Sequence, residues 1–325
     1  MSAEKSPAST PKDVTYVYRP AEKLRLFLPC LRQRLRPRRN LFAGPFAGEF
    51  GYELMQWQGF IRARRPLYEQ VHVLTYPGRD YLYEGCRVHH HDIDLKNAGY
   101  WYGRLSPAQS RAMVEAKTVE IGLKDYDIFD TSLLCTQYHK MFFWRQEFRL
   151  FEEPMVTPEN RDVAFHFRAV QKQGPDRAKN YDPSLADELA GLCLKQGLSV
   201  ICVGHPDYAY CAKGCEDWRR TDLRESVAAI GSARLLAGEN SGATHLANLC
   251  GRSTVLWAND QWRIDYSLRW NPFRVPIYTA ANDTCQPDPQ RVVRAIAEAL
   301  NDLKNRTGSF QTPCYTLPAQ PIANF

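Results

Sequence analysis

The sequence has no long apolar run. One short candidate, Leu24–Leu31, is interrupted by charge, and crossing a bilayer takes about 20 consecutive apolar residues. The opening residues, MSAEKSPAST, are polar, so the apolar core of a signal peptide is not expected there. The glycines never fall as Gly-x-Gly-x-x-Gly, which leaves nicotinamide chemistry without its phosphate turn. The ten cysteines do not suggest a disulfide framework. Cys193, Cys202 and Cys250 lie in apolar segments, where a free thiol packs as a small hydrophobe. Cys211 and Cys215 are not followed by a second Cys/His pair at zinc-site spacing. A reducing, cytoplasmic setting is the expectation. The glycosylation triplets at Asn282 and Asn305 then carry no weight.

The chain has 325 residues, of which 44% are apolar. That is ample for two domains with their own cores and too apolar for disorder. The net charge of +6 is uneven. Residues 19–39 carry Arg19, Lys23, Arg25, Arg32, Arg34, Arg36, Arg38 and Arg39 against the single acid Glu22. Such a run is either a solvated arm or a weak anchor for phosphate-bearing surfaces such as anionic membrane.

The organisation reads as an arm (1–40), a first α/β domain (41–155), a second (160–304) and an irregular tail (305–325). In the first domain, Leu41–Phe46, Gln70–Tyr76 and Tyr126–Phe129 read as strands. Tyr52–Arg65 and Pro107–Thr118 read as helices, the second capped by Ser106. Pro154 and Pro158 mark a linker. The second domain alternates more cleanly. Strands are predicted at Asp162–Phe167, Ser199–Val203, Leu235–Ala237 and Thr254–Trp257. Helices are predicted from Asp182–Pro183 to Gly197, around Leu223, Val227 and Ile230, over Ser241–Cys250, and over Gln290–Leu303. Strand–helix alternation implies parallel sheets covered on both faces. The expected fold class is α/β, with two Rossmann-like domains facing a cleft.

Three stretches carry candidate chemistry. In Leu235–Ala247 a small apolar strand runs through Gly238-Glu239-Asn240 into a helix beginning Ser241-Gly242-Ala243-Thr244-His245. The first turn of a helix offers free N–H groups and a positive dipole end, which suit phosphate. Ser241 can cap the helix, Gly242 allows close approach, and His245 could donate to a phosphate oxygen. In the second stretch Arg168 follows a strand, and Lys172, Arg177 and Lys179 follow in a basic loop. Together they are countercharges for a diphosphate. In the third, Gly44–Leu54, a strand ends in a glycine turn and two carboxylates, Glu49 and Glu53, flank a helix start. Leu54, Phe60 and Ile61 continue a helix pattern after Glu53.

The Ser241-Gly242-x-x-His245-x-Ala247 pattern resembles the signature of the ADP-heptose:lipopolysaccharide heptosyltransferases, glycosyltransferase family 9, which have the GT-B fold. The strand, basic loop and Lys179-Asn180-Tyr181 are similar to a second family feature. The Gly51-Tyr52-Glu53 register is similar to the family's Gly-Asp turn, whose Asp takes the acceptor's proton; the resemblance thus implies a general base here, Glu53 by the helix pattern that follows it and Glu49 as the other candidate. Asn240 departs from the family's Asp, so donor identity is not carried over. The resemblance covers about residues 160–300, weakens over 41–130 and is absent before 40. It implies a hexosyl- or heptosyl-type glycosyltransferase that uses a nucleotide-sugar donor and a glycan or lipid-linked acceptor. Such an enzyme would invert the anomeric centre, need no metal or other cofactor, and serve surface glycan synthesis. The donor would sit on Arg168, Lys172, Arg177, Lys179 and Glu239 to His245.

Rival readings are an epimerase or pyruvyl transferase on the same scaffold, and a non-catalytic anion or nucleic-acid binder using the arm. Nucleic acid is not the expected partner. His89-His90-His91-Asp92-Ile93-Asp94 and Asp125-Tyr126-Asp127 contain Asp-x-Asp, a pattern too short to be specific for a metal. Tyr100-Trp101-Tyr102 is read as packing.

Overall fold

The computed structural model describes residues 31–33, 35–93, 105, 107–130, 146–152, 161–170, 179–305 and 316–317. Ser106, the Asp94 end of the histidine cluster, Tyr100–Tyr102 and the linker prolines lie outside them. So do Lys172, Arg177, the arm before residue 31, and the tail apart from residues 305 and 316–317.

The first half forms a parallel sheet in the order β3-β2-β1-β4. Its strands are β1 (Asn40–Ala43), β2 (Gln70–Thr75), β3 (Arg87–His90) and β4 (Tyr126–Phe129). β1 is central and buried along its whole length, as its unbroken apolar sequence requires of a strand covered on both faces. It stops at Ala43, three residues before the predicted end, because Gly44 turns the chain at φ 121°. The following helix is composite. A short α segment, α1 (Phe50–Tyr52), passes through a π segment (Glu53–Trp57) into α2 (Gln58–Arg64). Helix α3 (Pro107–Glu120) precedes β4.

A short strand, β5 (Gln146–Glu147), leads into the second half and pairs with β13 (Thr316–Leu317). The main sheet there grows outward from β6 (Arg161–Arg168). On one side lie β7 (Val200–Gly204) and β9 (Glu216–Arg219); on the other lie β10 (Ala233–Glu239), β11 (Ser253–Trp257) and β12 (Ile277–Ala281). All pairs on this path are parallel, and β8 (Ala209–Tyr210) adds an antiparallel bridge to the end of β6. Helices α4 (Pro183–Lys195), α5 (Leu223–Ser232), α6 (Gly242–Leu249), α7 (Gln261–Arg269) and α8 (Pro289–Asn305) cover it. The signals for α4 are borne out. The Asp182 carboxylate accepts from Ser184 N–H at 2.8 Å, and Gly197 follows the last turn at φ +78°.

Two apolar cores result. One packs Phe165, Phe167, Tyr181, Leu189, Trp257 and Ile296 beneath α4 and α8. The other starts at Leu54, Trp57 and Phe60, passes through Phe148 and Phe151, and ends on Ile201, Leu246 and Leu249. The second core crosses from one sheet to the other, so the segment 146–152 is structural rather than a loose tether.

Candidate active site

In open α/β sheets, ligands bind beyond the carboxyl ends of the strands, where the strand order reverses. In the second half this point lies between β6 and β10. His166 is near the end of β6, Glu239 ends β10, and α6 begins three residues later. His166 Nδ1 lies 3.3 Å from Glu239 Oε1 and 3.3 Å from Ser241 Oγ. Both contacts use the same ring nitrogen, so the trio is not a nucleophile relay, which needs the two nitrogens separately. Gly204 makes room for this ring, since a Cβ there would stand 2.7 Å from His166 Cδ2.

Helix α6 is capped locally. The Thr244 hydroxyl accepts from Ser241 N–H at 3.1 Å and donates to Ser241 C=O at 2.8 Å. The amides of Gly242 and Ala243 have no carbonyl one turn earlier, which leaves them available to an anion. Arg168 ends β6, and Asn180, the neighbour of Lys179, is tied to the residue two positions beyond it. The Asn180 amide donates to Val170 C=O at 2.8 Å and accepts from Val170 N–H at 3.0 Å. Lys172 and Arg177 belong to that loop but lie outside the described residues.

In the first half the order reverses between β1 and β4, and the Gly44–Glu49 turn leaves β1 there. The two carboxylates of this turn part company. Glu49 is exposed at the helix start. Glu53 is wholly buried. Its Oε1 accepts from Tyr83 Oη at 2.6 Å and from the Thr75 hydroxyl, and its Oε2 faces the Arg79 guanidinium at 3.5 Å. The preference for Glu53 as base is therefore corrected, because a carboxylate enclosed by its own domain cannot meet an arriving hydroxyl. Burial beside Glu53 also lifts the Tyr83 phenol well above its ordinary value, so it stays a donor.

The two helix starts meet. The ring of Phe50 lies where a Gly242 Cβ would stand, 2.7 Å from Phe50 Cδ1. The other ring neighbour is Arg79, whose guanidinium carbon is 3.9 Å from the centroid. Phe50 thus gives Gly242 a packing reason to lack a side chain, beside its expected role in phosphate approach. Gly51 faces His245 Cδ2, and Tyr266 Oη bonds Tyr52 Oη at 3.1 Å. His245 is 4% exposed and leans on Trp270 at 5.5 Å. Burial pushes its pKa down to about 4. It is a buried ring in the contact between the halves. Ala243 is also buried, and Asn240 is turned away from the helix start. The Asn240 amide donates to Arg263 C=O at 2.7 Å and to Ser267 Oγ at 2.5 Å. A carboxylate could not donate to that carbonyl, which accounts for Asn in place of Asp.

The other candidates disperse. His89 bonds His72 at 2.9 Å, His90 bonds Asp80 at 2.9 Å, and His91 bonds Phe46 C=O at 2.7 Å. Three adjacent rings with three separate partners do not converge on one point. Asp127 binds Arg32, the backbone N–H of Arg38 at 3.0 Å and Tyr68 Oη at 3.3 Å. Arg39 pairs with Glu69 at 2.6 Å. The end of the basic arm is therefore docked on the first sheet. No described helix is long and apolar enough to cross a membrane.

Two parallel sheets with facing carboxyl ends and a helix start at each reversal define a two-domain α/β fold of the GT-B type. The fold is shared with solved glycosyltransferases of family 9. The chain is similar to the family 9 glycosyl transferase from Veillonella parvula, with TM-score 0.53 and 10% identity, over 82% of this chain and 98% of that one. It is similar to the E. coli ADP-heptose lps heptosyltransferase II, with TM-score 0.50 and 14% identity, over 82% and 99%. It is also similar to the dodecameric iron-containing glycosyltransferase TibC of enterotoxigenic E. coli, with TM-score 0.50 and 14% identity, over 82% and 76%. No family model matches the chain, and no curated protein matches it.

His166 is the site residue that sequence reasoning passed over. It was visible only as one polar residue in the strand Phe165-His166-Phe167, where alternation would put it in a core.

Proposed function

We propose that the chain is a glycosyltransferase that moves a sugar from a nucleotide-sugar donor to an acceptor hydroxyl. The observation that carries this reading is the opposition of two helix starts, one bearing the exposed carboxylate of Glu49 and the other the first-turn amides of Gly242 and Ala243, which have no carbonyl one turn earlier. The names of the solved neighbours, one of them an ADP-heptose lps heptosyltransferase, support sugar transfer.

In this reading the donor diphosphate rests on the first turn of α6, with Arg168 and Lys179 as countercharges. Glu49 takes the proton of the acceptor hydroxyl as its oxygen attacks the anomeric carbon. The bond from that carbon to the diphosphate breaks, and the same amides and cations meet the charge that develops. Attack opposite the leaving group inverts the centre. The leaving charge is met by protein groups, so a divalent ion has no required part. A hexose or heptose, a glycan or lipid-linked acceptor and a place in surface glycan assembly complete the proposal. An epimerase or pyruvyl transferase on the same scaffold differs from this reading in its product, since only a glycosyltransferase joins the sugar to an acceptor.

The test is a thermal-shift screen against ADP-, GDP-, UDP- and CMP-sugars, followed by product analysis with the selected donor. A stabilising donor whose sugar appears on an acceptor supports the proposal. Binding with epimerised or pyruvylated product assigns a rival chemistry. No binding to any of them removes the donor site.

A further inference from the structure

A cavity of about 620 Å³ lies where three parts of the chain meet. One wall is the turn after β2, from Gly78 to Glu84. The second is the joining segment, residues 149–152, and the third is the start of α5, with Asp222 and Arg224. The first and third walls both follow the carboxyl ends of strands, β2 and β9, so the cavity belongs to the cleft between the halves. Arg79, which lies against Phe50 at the candidate site, is part of the first wall's turn. The halves touch beside the cavity, since a Cβ at Gly78 would stand 3.4 Å from Thr221 C=O. The volume suits a small organic ligand. Unlike Glu53 and Glu239, the polar groups here can be reached: Asp80, Glu84, Glu152, Asp222 and Arg224 are all exposed. Four carboxylates thus stand against the guanidinium groups of Arg149 and Arg224, and Arg149 is already paired with Glu84. A phosphate or a second carboxylate entering the cavity would be repelled. Among the described residues the apolar lining is limited to Leu150 and the ring of Tyr81, which gives an acyl chain no cover. The Arg224 guanidinium carbon of one half lies 5.3 Å from the Tyr81 ring centroid of the other. A saccharide matches this mixture. Its hydroxyls donate to carboxylates and accept from guanidinium N–H groups, and an aromatic ring covers its C–H surface.

We propose that this cavity holds an uncharged saccharide unit of the acceptor, gripped by both halves and the joining segment together. This rests on the glycosyltransferase reading above and narrows it: the part of the acceptor held here carries neither phosphate nor an acyl chain. The probes are the methyl glycosides of glucose, galactose, mannose, N-acetylglucosamine and a heptose. Glucose phosphate and glucuronate serve as anionic counterparts. Saturation-transfer NMR on the full chain measures each, with and without the nucleoside diphosphate selected by the donor screen. Isothermal titration measures the nucleotide.

Loss of a hydrogen bond to a charged group weakens binding roughly 10- to 100-fold. At least one neutral glycoside should bind, and Arg224→Ala should raise its Kd by that factor with nucleotide affinity unchanged. Glu152→Gln, at a second exposed position, should raise it in the same direction by less, and decides the matter if Arg224→Ala does not fold. Removing two of the acids, in Asp80→Asn with Glu152→Gln, should admit glucose phosphate. A preference of the unmodified protein for the anionic counterparts overturns the proposal. So does a glycoside affinity that neither single variant moves, because the sugar then sits elsewhere. Nucleotide binding without any glycoside binding overturns it while leaving the donor site standing. Glycoside binding without any nucleotide binding overturns the acceptor role and the glycosyltransferase reading together.

Discussion

The Gly44–Trp57 and Gly238–Leu249 segments are built alike: a buried parallel strand ends, glycine turns the chain, and a helix starts at a reversal of strand order. They differ in where the carboxylates go. In the first, Glu49 stays in solvent and Glu53 is sealed beneath it by Tyr83, Thr75 and Arg79. In the second, the one acid, Glu239, lies before the turn and is buried, and the helix start itself is left positive. The same local frame can therefore offer an anion or receive one, depending on which side of the turn the acid stands. On the proposed function, that asymmetry is what a transfer between two lobes needs.

The largest expected effect separates Glu49 from Glu53. Glu49→Gln should lower turnover by about 10²–10⁴-fold, with nucleotide affinity and melting temperature unchanged. Normal turnover in this variant would break the comparison. Glu53→Ala should act on stability instead, because it strands Arg79, Thr75 and Tyr83. Breaking a buried pair costs about 3–5 kcal/mol, readable from denaturant midpoints. Glu53→Gln should cost less and leave turnover per folded molecule near normal.

Next comes pH. His245 has a folded-state pKa of about 4, below its ordinary 6.5. Between these values the unfolded chain binds the proton more readily. Stability from this group is thus full above about pH 6.5 and falls as pH drops toward 4, by on the order of 3 kcal/mol in total. His72, also lowered to about 4 by burial, adds in the same direction. Urea midpoints at pH 7.5 and 5 should show the loss, and His245→Gln should reduce it. An identical pH slope in that variant would remove His245 from the contact.

Gly242→Ala should cost about 1–3 kcal/mol by overpacking against Phe50. Adding Phe50→Ala should relieve it. If Gly242→Ala alone weakens nucleotide binding without lowering stability, the glycine serves phosphate after all. The smallest effect belongs to the arm. Basic residues near an anionic surface contribute about 1 kcal/mol each, and Arg32, Arg38 and Arg39 already have acidic partners. Sedimentation with anionic vesicles should show weak binding at low salt that vanishes at moderate salt. Protein left in the supernatant at both salts ends the membrane proposal.

Much of the second half was legible in the sequence because each element there carries its own signal. Pro183 and Gly197 bracket α4, and the stripe Val292, Val293, Ile296, Leu300 marks α8. The strand β3 was missed because His89 and His90 looked like chemistry rather than a sheet edge stacked on His72. Helix α7 was missed because its sequence is mostly polar and aromatic, with only Ile264 and Ser267 buried. The Gly238–Leu249 segment was found, but the contacts of two residues within it were not. Gly242 and His245 answer to Phe50 and Gly51, some 190 residues earlier in the chain, and no local pattern encodes a partner on another domain. The order of Glu49 and Glu53 was hidden by the π segment, which changes the face each position presents.

Phe50 has a consequence of its own. Its ring is held between Arg79 and the bare α-carbon of Gly242. It is a spacer, and the two lobes cannot come closer at this point than its thickness. The spacing of the two lobes at this point is then set by a residue of the first half. A thinner side chain would let the jaws shut further, and a wider one would prop them open. On the proposed function, the room left for a ligand can in this way be retuned from one position.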